Sequence, residues 1–452
     1  MKVQLPKKAQ SILSKLQKGG FEIYIVGGAV RDVLMGKPIY DWDFTTNAKP
    51  KEILELLKDD DPFYTNEFGT VGVPVGKDER PLEITTYRTE GSYSDFRRPD
   101  TIKWGKSLKE DLKRRDFTIN AMALKHTKNK DEFELIDYYQ GLKDLEDKLI
   151  RTVGNPDERF AEDALRMMRA VRIAAELGFT IEETTLSAIN KNAAKINRIA
   201  KERVKDELLK ILASHYPYEG IVIFRNVGLM QEILPELENT FGVEQKSPGR
   251  HHIYDVGTHS LLSLKYCKSK DPITRLATLI HDIGKPQTFK KLENGTITFY
   301  NHEVVSTKIA KNIAKRLKFS NKQTEKLVKL VRWHQFTVGE NQTDKAIRRF
   351  IKNVGKENVA DMLDLRVGDR LGSGARETSW RLEEFKKRLI EVQKQPFTIH
   401  DLNINGKDIM KELKLKPGPK VGDILQKLYD EVVEKKLPNK KKELIKRAKA
   451  LK

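Results

Sequence analysis

The chain has 452 residues, of which 38% are apolar and 33% charged, and a formal charge of +20. That fits a soluble globular protein of several domains. No apolar run is long enough to span a bilayer, and no apolar block of signal-peptide type opens the chain. The single cysteine, Cys267, rules out an intramolecular disulfide and a thiolate zinc cluster, and points to a reducing, cytoplasmic setting. The excess of lysine and arginine points to a phosphate-bearing partner, nucleic acid foremost; a basic proteome is the alternative.

Residues 6–18 have helical periodicity closed by Gly19 and Gly20, and 21–26 form a short apolar strand ending at Gly27-Gly28. A helix is expected from Ala29, a strand over 40–45, a helix over 51–58, and strands over 71–75 and 82–87. This reads as a small α/β sheet domain over residues 1–150. From Asp157 long helical periods take over, beginning with one helix over 159–177. A helical neck and body is expected over 151–245, with a break at Pro248-Gly249. A histidine-bearing helical region spans 246–375, and a lysine-rich helical tail spans 376–452. The fold class is α+β, a sheet-bearing head followed by all-helical parts.

Asp41 and Asp43 are two apart in an expected strand, so both carboxylates should leave the same face. Such a pair suits Mg2+, which takes hard oxygen ligands and leaves sites for triphosphate oxygens; a solvated strand face is the alternative. Gly27 and Gly28 let backbone amides approach a phosphate, and Arg31 can donate to it as a fork. Glu83, in a later strand, is a candidate third acid. In the helical part, Asp163 and Arg166 are three apart and should share one helix face, an acceptor beside a donor. Arg169 and Arg172 extend the basic stripe.

The runs Val26-Gly27-Gly28-Ala29-Val30-Arg31-Asp32 and Asp41-Trp42-Asp43-Phe44-Thr45-Thr46 resemble the head signature of class II tRNA nucleotidyltransferases. Four further segments follow in the family's order. The segment from Arg114 and Arg115 through Asp116 and Asn120 to Ala121 is similar to its ribose-recognition motif. Glu162-Asp163-Ala164-Leu165-Arg166 is similar to its base-selecting motif, with Arg169 and Arg172 continuing it. Glu202-Arg203, with Glu207, resembles its last helical motif. These matches cover about the first 240 residues; apart from them, the tail Ile404 to Asp408 with Gly418-Pro419 also resembles the family's C-termini. The resemblance implies a polymerase-β-like head and template-independent addition of C, C and A to the 3′ end of tRNA from CTP and ATP. It makes Asp41 and Asp43 the Mg2+ ligands and Glu83 a catalytic companion. Gly27, Gly28, Arg31, Arg115, Asp116, Asn120, Asp163, Arg166, Arg169 and Arg172 become nucleotide-binding residues. Glu67-Phe68-Gly69-Thr70-Val71 lacks the Arg-rich block of bacterial poly(A) polymerases, and the loop from Arg88 to Pro99 is full length, as adenosine addition requires. A-only addition and poly(A) synthesis stay open as alternatives.

His259, His281, Asp282, His302, His334 and Asp369, with Ile283-Gly284-Lys285-Pro286 after the His-Asp pair, resemble an HD-type metal-dependent phosphohydrolase domain. Imidazole and carboxylate ligands suit Mn, Ni, Fe or Mg. A degenerate domain kept for RNA binding is the alternative, as is a phosphohydrolase that uses the head only to dock RNA. His251, His252 and His400 fall outside the pattern. Lys435, Lys436, Lys440, Lys441, Lys442, Lys446 and Arg447 are candidates to grip the tRNA elbow, against solvated helix faces. No membrane partner is expected, and the sequence leaves the oligomeric state open.

Overall fold

The computed structural model describes residues 1–39, 41–66, 69–76, 79–90, 102–105, 107–127, 131–246, 253–336, 343–393, 399–434 and 436–451. The head holds helices α1 (Lys7–Lys18), α2 (Gly28–Leu34), α3 (Pro50–Leu56), α4 (Leu108–Lys113) and α5 (Gly141–Glu146). Its strands are β1 (Ile23–Val26), β2 (Asp43–Thr46), β3 (Phe63–Asn66), β4 (Thr70–Val73), β5 (Leu82–Thr86), β6 (Arg88–Glu90), β7 (Ile102–Trp104), β8 (Met122–His126) and β9 (Phe133–Asp137). Seven of them make one sheet in the order β3-β4-β5-β2-β1-β8-β9, while β6 and β7 pair separately. Only β2 and β5 run parallel within that sheet, and their register sets Asp43 beside Glu83. The antiparallel register of β1 on β2 sets Val26 beside Asp43, so the chain turns at Gly27 next to the acids.

Two departures from the sequence expectations lie in this sheet. The strand expected over 40–45 begins at Asp43; Asp41 and Trp42 precede it, and Tyr40 lies outside the described residues. Strand alternation therefore does not align the two aspartates. Strands β3, β8 and β9 were not foreseen. Met122, Ala123 and Leu124 are buried on both faces, so β8 shows no alternation to read.

The body comprises β10 (Leu149–Ile150), α6 (Pro156–Glu162), α7 (Leu165–Leu177), β11 (Thr180–Ile181), α8 (Glu183–Asn192), α9 (Lys201–Ala213), α10 (Pro217–Asn226), α11 (Leu229–Ile233) and α12 (Pro235–Glu238). The single helix expected over 159–177 is two. Asp163 adopts an extended backbone, φ −141° and ψ 103°, and separates α6 from α7. Its carboxylate accepts the Leu165 amide at 2.9 Å, which begins the second helix as a side-chain cap would.

Beyond it lie α13 (Val256–Tyr266), α14 (Pro272–Ile280), α15 (Lys285–Thr288), a ribbon of β12 (Lys290–Lys291) and β13 (Ile297–Thr298), α16 (His302–Arg316), α17 (Asn321–Trp333), α18 (Asp344–Val354), α19 (Val359–Gly372) and α20 (Trp380–Gln393). Most buried apolar residues of head, body and this region form one continuous core, from Val3 to Val392, while Tyr24, Val26, Tyr87, Leu108, Leu112 and Ala123 make a smaller cluster in the head. A buried arginine, Arg275 on α14, reaches across to the body and donates to the Leu212 and Ser214 carbonyls at the C-terminus of α9, at 2.6 and 2.9 Å. Cys267, buried between α13 and α14, accepts a bond from the Thr278 hydroxyl. The last helices, α21 (Gly406–Leu413), α22 (Pro419–Val433) and α23 (Lys441–Ala450), close around a separate core of Ile409, Ile424, Leu428 and Leu444. No helix of the described residues is long and apolar enough to cross a membrane.

Candidate active site and histidine cluster

Gly27 has φ +75°, a conformation that L side chains rarely adopt. A Cβ there would also lie 3.3 Å from an Asp43 carboxylate oxygen and 3.3 Å from an Arg115 guanidinium nitrogen. The bare backbone, the acid and the cation therefore meet at one point. Asp43 is partly buried. Burial, helped by Glu83 and Asp41, outweighs Arg115 and pushes its carboxyl up to about 6. Burial and Asp41 raise Glu83 as well. Asp41 is exposed, and its Oδ2 accepts Arg80 Nη1 at 2.6 Å. Asp41 thus raises both other acids, while its own carboxylate is bound by Arg80, an arginine the sequence had not singled out.

Arg31 donates through Nε and Nη2 to Asp32 Oδ1 at 2.9 and 2.8 Å, and through Nη1 to Asn120 Oδ1 at 3.0 Å. Asn120 in turn donates to Asp116 at 3.4 Å, and Arg169 grips Asp116 Oδ2 from α7 at 2.8 Å. The ribose-motif residues are thereby tied to the helical body. Burial alone would raise the Asp116 carboxyl, but Arg169 and Arg166 outweigh it and hold it at about 2. Asp111, which sequence reasoning missed, is fully buried, takes both Arg114 and Arg115, and accepts the Thr45 hydroxyl. Its signal was an acid three and four residues ahead of two arginines on a helix.

Asp163 and Arg166 do not pair with each other. The Asp163 carboxylate is held by Arg203 of α9 at 2.8 Å, and Arg166 by Glu162 at 2.7 Å and the Arg114 carbonyl at 3.1 Å. The helix break puts the two residues on different supports. Arg172 is ion-paired with buried Glu207 at 3.1 Å. Residues 91–99 of the long loop, and Glu67 and Phe68, lie outside the described residues.

All six histidine-region candidates come together. His259 sits on α13, His281 ends α14, His302 opens α16, His334 ends α17 and Asp369 lies on α19. Asp282 is central. Its Oδ2 is 3.4 Å from His259 Nε2 and 3.2 Å from His281 Nε2, and its Oδ1 is 3.1 Å from His302 Nε2 and 3.6 Å from His334 Nε2. Asp369 Oδ1 joins the first group at 3.3 Å from His259. The Nδ1 atoms of His281, His302 and His334 each face a backbone carbonyl, of Thr278, Phe299 and Val331, which aims Nε2 inward. Burial would lower His281, but Asp282 and Asp369 push it up to about 10. His251, His252 and the expected break at Pro248-Gly249 lie outside the described residues, and His400 sits in a short turn of the tail. In that tail Lys436, Lys441 and Arg447 are engaged by Glu434, Asp408 and Glu431, while Lys435 is outside the described residues.

Residues 23–151 match the Poly A polymerase head domain, 178–241 an RNA and SrmB-binding site of polymerase A, and 291–448 tRNA nucleotidyltransferase domain 2. The CCA-adding enzyme of Ligilactobacillus salivarius is 35% identical over 98% of this chain and 96% of its own length. That of Enterococcus faecalis is 34% identical over 98% and 95%. The Bacillus stearothermophilus CCA-adding enzyme, solved in complex with CTP, superposes with a TM-score of 0.68 at 26% identity, covering 99% of this chain and 98% of that one. The Thermotoga maritima enzyme complexed with tRNA shares the fold, with a TM-score of 0.61 at 20% identity over 99% and 96% of the two chains. Matched end to end by such relatives, the chain belongs to the CCA-adding family of tRNA nucleotidyltransferases.

Proposed function

We propose that this protein adds C, C and A to the 3′ end of tRNA, taking CTP and ATP and no nucleic-acid template. The observation that carries this reading is Asp43 set against Gly27 and Arg115, with Glu83 in register beside it. Asp43 and Glu83, both raised by burial and by the Asp41 carboxylate beside them, suit a hard divalent cation, so Asp41, Asp43 and Glu83 would hold Mg2+. Bound there, it would favour attack by the tRNA 3′-hydroxyl and hold the leaving pyrophosphate.

The chain's own groups do the rest. Gly27 and Gly28 leave the backbone open to the triphosphate, and Arg31 and Arg115 donate to its oxygens while Asp32, Asn120 and Asp111 hold them in place. Asp116 and Asn120 face the ribose, anchored by Arg169. Asp163, an acceptor, and Arg166, a donor, read the Watson–Crick edge of the base. Arg172, further along α7, is held by Glu207 of α9. The test is incubation with labelled CTP and ATP on tRNA lacking its CCA end. Stepwise C, C, A addition is expected, and Asp41→Ala or Asp43→Ala should lower it by about 100- to 1,000-fold while tRNA binding survives. Addition of adenosine alone, and only to tRNA already ending in CC, would replace this reading by A-only addition.

A second activity rests on a different observation. The histidine cluster offers two adjoining triads, His259-His281-Asp282 and Asp282-His302-His334, with ligand atoms within 4.8 Å of one another in each. His259 and His281 turn ε nitrogens toward each other at 3.2 Å. Buried imidazoles so opposed fit a shared cation, and the mixed nitrogen and oxygen donors suit Mn, Fe or Ni. Such ions would supply a hydroxide for phosphoester hydrolysis. Elemental analysis of wild type and of the His281→Ala, Asp282→Ala double variant tests it. Metal should be present in the first and lost from the second; equal content in both would make this a degenerate domain.

A further inference from the structure

We propose that the cavity beside the histidine cluster is a phosphoryl-binding pocket, and that Gln245 is one of its substrate-binding residues. This rests on the reading of the cluster as a phosphohydrolase centre. The cavity has a volume of about 220 Å³ and is lined by Gln245, Lys285, Tyr300, Asn301, His302 and Gln335, so it opens directly onto a cluster ligand. Gln245 comes from outside the region, from the segment that leads out of the body after α12.

Lys285 fixes how Gln245 is turned. Its ammonium is buried, 2.6 Å from Asp282 Oδ2, 2.8 Å from Gln245 Oε1 and 5.3 Å above the centre of the Phe299 ring. An ammonium has only donors, so Gln245 must offer it the carbonyl oxygen and point the amide nitrogen elsewhere. That nitrogen is buried, with Gln245 only 2% exposed, and meets no acceptor among the described residues. Buried amide donors nearly always have acceptors. A buried donor beside a buried ammonium, at the wall of a cavity that ends on metal-ligating side chains, calls for an anionic oxygen.

The ligand chemistry follows from those groups. Gln245 Nε2 and Lys285 Nζ donate to the non-bridging oxygens of a phosphoester. The cavity is smaller than the roughly 300–1,000 Å³ that encloses a drug-sized ligand. It therefore takes the phosphoryl group and the part of the substrate next to it, and the rest stays outside. Tyr300, 76% exposed at the rim, gives that outer part an aromatic face. The pocket is assembled from both sides of the junction, since Gln245 belongs to the linking segment and Lys285, Tyr300 and Asn301 to the histidine region.

The test uses the full chain loaded with Mn2+, with inorganic phosphate as the probe in titration calorimetry. Gln245→Glu keeps an acceptor for Lys285 but sets a negative charge where the amide nitrogen stood. It should weaken phosphate binding at least 10-fold at unchanged Mn2+ content and unchanged melting temperature. Gln245→Met, which keeps the length of the side chain, serves if the glutamate variant unfolds, and the same loss is expected. Unaltered phosphate affinity in a folded variant overturns the proposal. Wild type that holds Mn2+ and binds no phosphate overturns the pocket and leaves the metal reading standing. Wild type that holds no transition metal removes both.

Discussion

Asp163 stands where two helices part, and Arg203 fixes its carboxylate from a third. Base choice should then depend on that distant arginine as much as on the acid. Arg203→Ala and Asp163→Asn are both expected to shift the ratio of C to A incorporated, read on tRNA ending in each successive acceptor nucleotide. A wild-type ratio in Arg203→Ala would show that Asp163 needs no support from α9, and a wild-type ratio in Asp163→Asn that it reads nothing. Asp116 makes a prediction about pH. Its carboxyl is held at about 2, below the ordinary 3.8, so the unfolded chain takes up the proton first. The stabilisation is complete above about pH 4 and is lost as pH falls toward 2. It is worth about 2 kcal/mol at 1.36 kcal/mol per unit. Urea unfolding of wild type should weaken more steeply between pH 5 and 3 than that of Asp116→Asn, and parallel slopes would refute the assignment. At this scale the sequence spoke clearly wherever the chemistry is contiguous, as in Val26 to Asp32 and Asp41 to Thr46. Arg80 and Gln245 stayed hidden because each gains its role only from a contact across the fold, whereas the signal of Asp111 was local and went unread.

Helices were legible from period and caps, and their interruptions were not. The break at Asp163 leaves the apolar period of 159–177 almost undisturbed, because it arises from a side chain captured by α9 and by the Leu165 amide. Strand β8 was missed for the opposite reason: a strand buried on both faces carries no alternation. Close approach of elements is equally silent in sequence, and Gly284 is the case that can be tested. A Cβ there would sit 2.5 Å from the Ser306 amide nitrogen and 2.7 Å from the His302 carbonyl oxygen, both backbone atoms of α16. Gly284→Ala must therefore push away the helix whose first residue is His302. The expected result is a loss of about 1–3 kcal/mol of stability together with loss of transition metal, while nucleotide addition persists. Thermal unfolding and elemental analysis on one preparation check it; full metal content would show that α16 can give way without dislodging its histidine.

Across the molecule, chemical and structural units do not coincide. The nucleotide site and the histidine cluster have separate ligands, yet head, body and histidine region share one core, pinned at α9 and α14 by Arg275. The tail, around Ile409 and Leu428, has its own. Scanning calorimetry should show two transitions, a large one for the shared core and a small one for the tail. Nucleotide addition and any metal bound at the histidine cluster should therefore be lost together on heating. A distinct transition that removes metal while nucleotide addition continues would show the histidine region melting alone.

Cys267 gives that shared core a clock. It is the chain's single thiol, lies between the helix bearing His259 and the helix ending at His281, and is shielded from solvent, with burial raising its pKa. A thiol so placed reacts with an alkylating reagent only when its surroundings open. The rate at which the intact protein becomes labelled therefore counts the openings of the histidine region, and any ligand that holds those two helices together slows the count without touching the sulfur.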